Sequence, residues 1–116
     1  MDIFNIFKKK DSDKRRTHDL GGCIVTRSLL NGSSKLKWIF REKSCNAADN
    51  GWRAIGDTDT QEYLDDPNNS AAVDFDRLVE IEPAVLSIYS MPVGTDLEYD
   101  GEKRVFIESA TGRVIR

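Results

Sequence analysis

DNGWRAIGDTDTQEYLDDPNN, residues 49–69, changes character at its midpoint. The first half opens in a turn, Asp49-Asn50-Gly51, and continues as Trp52-Arg53-Ala54-Ile55, which reads as a strand. After Gly56 come five carboxylates, Asp57, Asp59, Glu62, Asp65 and Asp66, with Tyr63 among them and Pro67-Asn68-Asn69 closing the run. Asp59 and Glu62 have the spacing of a capping box, so residues 57–66 predict a short helix that Pro67 stops. A strand feeding a short polar helix inside a chain of this size points to an α+β domain.

Upstream, Cys23-Ile24-Val25-Thr26-Arg27 is rich in β-branched residues and reads as the first strand. Leu29 and Leu30 turn inward before Asn31-Gly32-Ser33-Ser34, a strong turn signal. Leu36, Trp38 and Phe40 alternate with Lys37, Ile39 and Arg41, the period of a half-buried strand with Trp38 on its core side. These two strands are expected to pair as a hairpin. Downstream, Phe75, Leu78 and Val79 give an amphipathic helix over 74–80. Glu82-Pro83 opens another, with Val85, Leu86, Ile88 and Tyr89 on its apolar side. Residues 97–99 and 103–108 read as a hairpin around Asp100-Gly101, and Val114-Ile115 as a last edge strand. The expectation is a single α+β domain over 21–116, mainly antiparallel sheet with two or three short helices. A basic N-terminal arm over 1–20 precedes it.

The totals agree with one compact domain. The chain has 116 residues, 39% of them hydrophobic and 32% charged. No apolar run approaches the roughly 18 residues of a membrane span. The opening MDIFNIFKKK places its apolar residues before its lysines, the wrong order for a secretory signal. With Cys23 and Cys45 unpatterned, the expected setting is the cytoplasm, with both thiols reduced. Charge is distributed unevenly: residues 49–82 carry ten acids against Arg53 and Arg77, net −8, although the whole chain is at −3. Such a block favours a cationic partner and disfavours nucleic acid. The arm, with Ile3, Phe4, Ile6 and Phe7 beside Lys8–Lys10 and Lys14–Arg16, suits at most weak contact of residues 1–16 with a membrane surface.

Several chemistries fail on spacing. His18 is the only histidine and falls in the arm, which leaves nucleophilic sites and zinc without a ligand set. Asp96-x-Glu98-x-Asp100-Gly101 approaches a calcium loop, but Ile107 stands where the bidentate acid belongs. No glycine-rich phosphate loop is present. No catalytic residue, metal site or cofactor is expected. Trp52 fits two placements: core, with its N–H on a loop carbonyl, or a half-exposed aromatic anchor beside the acids.

Gly21-Gly22 ahead of a strand, Trp38, Arg41-Glu42, Gly51-Trp52-Arg53, Gly56-Asp57, Glu62-Tyr63-Leu64 and Asp66-Pro67-Asn68-Asn69 stand in an order that resembles a bacterial family. Pro83 after Ile81-Glu82, and Pro92-Val93-Gly94, fit the same pattern. The family is the thirty-third immunity-protein family of polymorphic toxin systems, and the resemblance covers about residues 20–108. The chain departs from it at Asn50, where a Ser commonly precedes the Gly-Trp pair. The resemblance implies an α+β domain that binds and neutralises a bacterial toxin, and it implies no enzyme and no catalytic residues. Joined to the charge pattern, it gives an expected partner-binding face of Trp52, Arg53, Asp57, Asp59, Glu62, Tyr63, Asp65 and Asp66, meeting a basic protein toxin. The alternative is a small-molecule-binding or hydrolytic domain with a pocket around Trp52 and Arg53.

Overall fold

The computed structural model describes residues 20–115, so the expected arm lies outside the described residues except for Leu20. The chain runs β1 (Gly22–Thr26), α1 (Arg27–Leu30), β2 (Leu36–Arg41), β3 (Asp49–Gly56), α2 (Gln61–Asp65) and a 3₁₀ turn (Pro67–Asn69). It continues through β4 (Ser70–Asp74), α3 (Phe75–Ile81), a 3₁₀ helix (Pro83–Ile88), β5 (Asp96–Asp100), β6 (Val105–Glu108) and β7 (Val114–Ile115). The α+β reading holds: among the described residues seven strands form one sheet in the order β4-β1-β3-β2-β5-β6-β7, and of these pairs only β1–β3 is parallel.

One face of the sheet carries the core. Val25, Ala54, Ile39 and Leu97 follow one another across four strands in register. With Tyr99 and Phe106 they pack against Phe75 and Leu78 of α3 and Val85 and Ile88 of the 3₁₀ helix. On the other face, Ile55, Trp38, Glu98, Ile107 and Val114 line up across β3, β2, β5, β6 and β7.

The expected β1–β2 hairpin does not form. β3 inserts between the two strands, parallel to β1 and antiparallel to β2. Every residue of β1 is buried, so this strand needs a neighbour on both edges, and β4 and β3 supply them. The 27–35 connection, with its helical turn, is long enough to carry the chain past one strand position. β4 itself has no strand signal in sequence: Ser70-Ala71-Ala72 lacks β-branched residues, and the strand exists through its antiparallel register with β1.

The expected core side of β2 is also corrected. The pairing of β2 with β3 steps from Leu36↔Gly56 to Trp38↔Ile55, two residues against one, which is a β-bulge at Lys37. A slip of one residue exchanges the faces. Leu36 and Ile39 are therefore buried, and Trp38 stands 37% exposed on the opposite face. The segment after Pro83 is a 3₁₀ helix, not an α-helix. With three residues per turn it sends Val85 and Ile88 inward and leaves Leu86 52% exposed.

Candidate functional site

The acidic stretch begins where β3 ends. The cap of α2 is Thr60, one residue later than the capping-box spacing suggests, and its hydroxyl accepts from the Tyr63 N–H at 3.1 Å. That shift releases Asp59 for another task. Its carboxylate accepts from the Gly56 N–H at 2.7 Å and from the Ser28 hydroxyl at 2.6 Å. Ser28 in turn accepts from Ser34 at 2.7 Å, so Asp59 pins the end of β3 to α1 and to the turn before β2. Asp59→Ala is expected to cost about 1.5–3 kcal/mol of stability through these charge-assisted bonds. Glu62→Ala, at an exposed position, is expected to stay within about 0.5 kcal/mol. Urea midpoints of the two variants check the contrast, and equal losses would refute it.

The remaining acids face outward. Asp57, Glu62, Asp65 and Asp66 are exposed, and Tyr63 is half-buried among them. Asp57 accepts from the Lys35 N–H at 3.1 Å, Asp65 from the Gln61 amide at 2.8 Å, and Asp66 from the Asn68 N–H at 2.9 Å, capping the 3₁₀ turn. Among the described residues none of these four acids takes part in an ion pair.

Trp52 and Arg53 are elsewhere. Trp52 is 0% exposed, in the core, and its indole N–H donates to the Tyr89 carbonyl at 3.0 Å. Arg53 is 2% exposed. Its guanidinium forks onto Asp49 at 2.8 and 2.7 Å, its Nε donates to Glu42 at 2.6 Å, and one terminal nitrogen also reaches the Trp52 carbonyl at 3.0 Å. Neither side chain presents surface to a partner, so the expected face is reduced to the exposed acids and Tyr63. Neither lines the groove that opens at the end of the sheet where β2 begins.

The Asp49–Arg53 pair was not visible in the sequence. In a straight strand the Cα atoms of residues four apart lie about 13 Å from each other. Here two residues of β1 face four of β3, from Gly22↔Asp49 to Ile24↔Arg53, and Gly51 takes φ +92° within that irregularity. Any Cβ there would overlap the Glu42 carbonyl oxygen, so the turn requires glycine. Desolvation pushes the Asp49 carboxyl up, but bonds from Arg53 and from the Cys45 and Gly51 N–H groups outweigh it and hold the pKa below the usual value. Burial disfavours the Arg53 charge as well, and Asp49 and Glu42 overcome that penalty.

A second feature was also missed. A groove of about 1090 Å³ opens at the end of the sheet where β2 begins and the β5–β6 hairpin turns. Leu36, Ile81 and Tyr99 give it apolar surface, and Asp57, the first acid of the stretch, stands on its wall beside Glu82 and Glu102. These residues are far apart in the chain, and the pairing of β2 with β3 and β5, with α3 packed on the sheet, brings them together.

Among the described residues no group of three or more His, Cys, Asp or Glu is arranged to hold a metal ion. No described helix is long and apolar enough to cross a membrane. No curated protein and no solved structure matches the chain. The family model described as "Immunity protein Imm33 domain" matches residues 23–110, from β1 past the end of β6. On that match over most of its length, the chain belongs to the Imm33 family of immunity proteins.

Proposed function

We propose that the chain is a cytoplasmic immunity protein that binds its cognate toxin without catalysis, and that Asp57, Glu62, Asp65 and Asp66 meet a basic surface on that toxin. The observation that carries this reading is the exposure of these four acids on a single connection, with no cation of the described residues paired to them. An acidic run without an ion pair among the described residues extends its field into solvent, speeds encounter with a positive partner and repels nucleic acid. Tyr63, half-buried beside the acids, adds an aromatic edge that a partner can cover.

The test is kinetic. A basic partner captured from the source bacterium and identified by mass spectrometry would be mixed with wild type and with the triple reversal Asp57→Lys, Glu62→Lys, Asp66→Lys. The reversal is expected to slow association at low salt by on the order of tenfold or more and to flatten its dependence on ionic strength. Dissociation changes less, because rim charges act mainly on the encounter. An association rate indifferent to the reversal would remove this face from the interface.

A further inference from the structure

We propose that the sheet face centred on Trp38 docks the protein partner, which covers it with an apolar patch flanked by basic side chains. This rests on the reading of the chain as a toxin-binding protein and names the face and the chemistry of the contact. Ile55, Trp38, Ile107 and Val114 lie in one row across β3, β2, β6 and β7, on the face opposite α3 and the 3₁₀ helix. An antiparallel sheet with one face in water ordinarily carries polar side chains there. In this row only Glu98 is polar, over about 19 Å of sheet at the usual strand spacing. Trp38 is 37% and Val114 41% exposed, Ile55 and Ile107 are half-buried, and none of the four belongs to the core cluster of the described residues. An apolar strip rimmed by charge has the anatomy of an interaction surface. Trp38 is also held in place: Lys37 lies over its ring at 5.8 Å, and the Glu98 carboxylate fixes Lys37 at 2.7 Å. A ring ordered before binding loses little entropy when a partner covers it, and Trp is among the side chains most enriched at interface hot spots.

The charges beside the strip select a basic partner. Asp96, Glu98 and Asp100 alternate along β5, and the Phe40↔Asp96 and Trp38↔Glu98 pairings put them on the face of Trp38. Lys37 pairs with Glu98, and among the described residues neither Asp96 nor Asp100 takes part in an ion pair. Asp57 stands one residue beyond the Leu36↔Gly56 pair, where its N–H donates to the Lys35 carbonyl at 2.8 Å. The hydrogen bond to Glu98 raises the Lys37 pKa, burial offsets part of the rise, and the charges of Glu98, Asp100 and Asp57 add to it. The β5 acids and the first acid of the exposed run therefore converge beside Trp38, so strip and run adjoin. Residues 96–100 lie outside the acidic block of 49–82, and two separate stretches thus give this surface the same sign. That sign also disfavours a second copy as the occupant, since a two-fold contact through the strip turns the β5 acids of one protomer toward those of its partner.

The test is photo-crosslinking in the source bacterium, with p-benzoylphenylalanine replacing either Val114 on the strip or Leu86, 52% exposed on the helical side. The expected result is an adduct from position 114, and none from position 86, with one basic protein, identified by mass spectrometry and bound stably by the wild-type chain. With that protein purified, Trp38→Thr is expected to weaken binding at least about tenfold, mainly through faster dissociation. Its urea midpoint is expected to stay near that of wild type, because the ring is exposed and Thr suits a strand. Val114→Lys, on an edge strand that tolerates lysine, is expected to weaken binding in the same direction by setting a positive charge against a basic partner. An adduct with a second copy, within the same chain or with an acidic protein would overturn the proposal, as would wild-type affinity in both variants. If that wild-type affinity came with association still slowed by the Asp57, Glu62 and Asp66 reversal, the strip would fall and the acidic run would stand. A tenfold loss in Trp38→Thr with association indifferent to the reversal would support the strip and remove the run from the interface. No bound protein and no adduct with the wild-type fold intact would overturn both.

Discussion

Arg53→Ala is expected to destabilise the fold by about 3–5 kcal/mol, because it strands the buried Asp49 carboxylate without its counter-charge. The residue that looked from sequence like half of a binding pair is the centre of an internal network. It holds Asp49 at the start of β3 and Glu42 just after β2, and Asp49 accepts in turn from the Cys45 N–H at 2.9 Å and the Gly51 N–H at 2.8 Å. Removing Arg53 leaves those two N–H bonds to carry a charge that is 5% exposed. Replacing both members, Asp49→Leu with Arg53→Met, is expected to cost less than Arg53→Ala alone, since no charge is then left buried. Urea midpoints for Asp49→Leu, Arg53→Met and the double form a cycle that isolates the pair. A double variant as unstable as the summed singles would show that Arg53 acts through packing alone.

The same pair sets an acid limb. Asp49 has a folded pKa below its unfolded value of about 3.9, so its contribution is fully present above that value. It is lost as pH falls through the folded value, when the native carboxylate takes up its proton. Wild type is therefore expected to lose stability below about pH 4 more steeply than Asp49→Asn, which begins less stable at neutral pH and has no such group to protonate.

What the sequence revealed and what it hid divide along a physical line. The strands of β1 and β2, the β5–β6 hairpin and the Phe75–Leu78 face of α3 were legible because their signals are local: β-branched runs, a turn dipeptide, a helical period. Strand order was not legible. β1 pairs with β3 and β4 because it is buried on both faces, and no residue of β1 names its neighbours. Trp38 misled because one bulged residue inverts the period of a strand, and Lys37, the extra residue, carries no mark of it. In the acidic run the spacing that suggested a cap at Asp59 served equally well one position on, at Thr60. The carboxylate that looked like the start of the binding helix is bonded to Gly56 and Ser28 instead. The four acids that do face solvent were visible as composition, but their exposure was not. The groove at the end of the sheet was invisible for the same reason as the strand order, since the pairing of β2 with β3 and β5 and the packing of α3 assemble it from distant segments.

Trp52→Ala is expected to match or exceed the Arg53 effect, at about 3–5 kcal/mol, as the loss of a large core side chain. Trp52 is fully buried and joins β3 to the chain that follows the 3₁₀ helix, through its N–H on the Tyr89 carbonyl. Arg41 lies over its ring at 5.6 Å and donates to the Met91 carbonyl at 2.7 Å and the Asn50 carbonyl at 2.9 Å, so ring and guanidinium close one corner together. Removing the indole opens a void beneath Arg41 and leaves the Tyr89 carbonyl without that donor. Trp52→Phe keeps most of the ring contact and loses the N–H, and a cost of about 1–3 kcal/mol follows from the smaller volume and from a Tyr89 carbonyl left with only the long 3.5 Å bond from Arg41. Urea unfolding with an unchanged m-value would place both effects in the native state. The comparison also separates core from interface. A core Trp52 predicts that Trp52→Phe, while folded, binds the captured partner with wild-type affinity. An interface hot spot loses at least about tenfold on the same substitution. Weakened binding by a folded Trp52→Phe protein would return Trp52 to the toxin-facing surface.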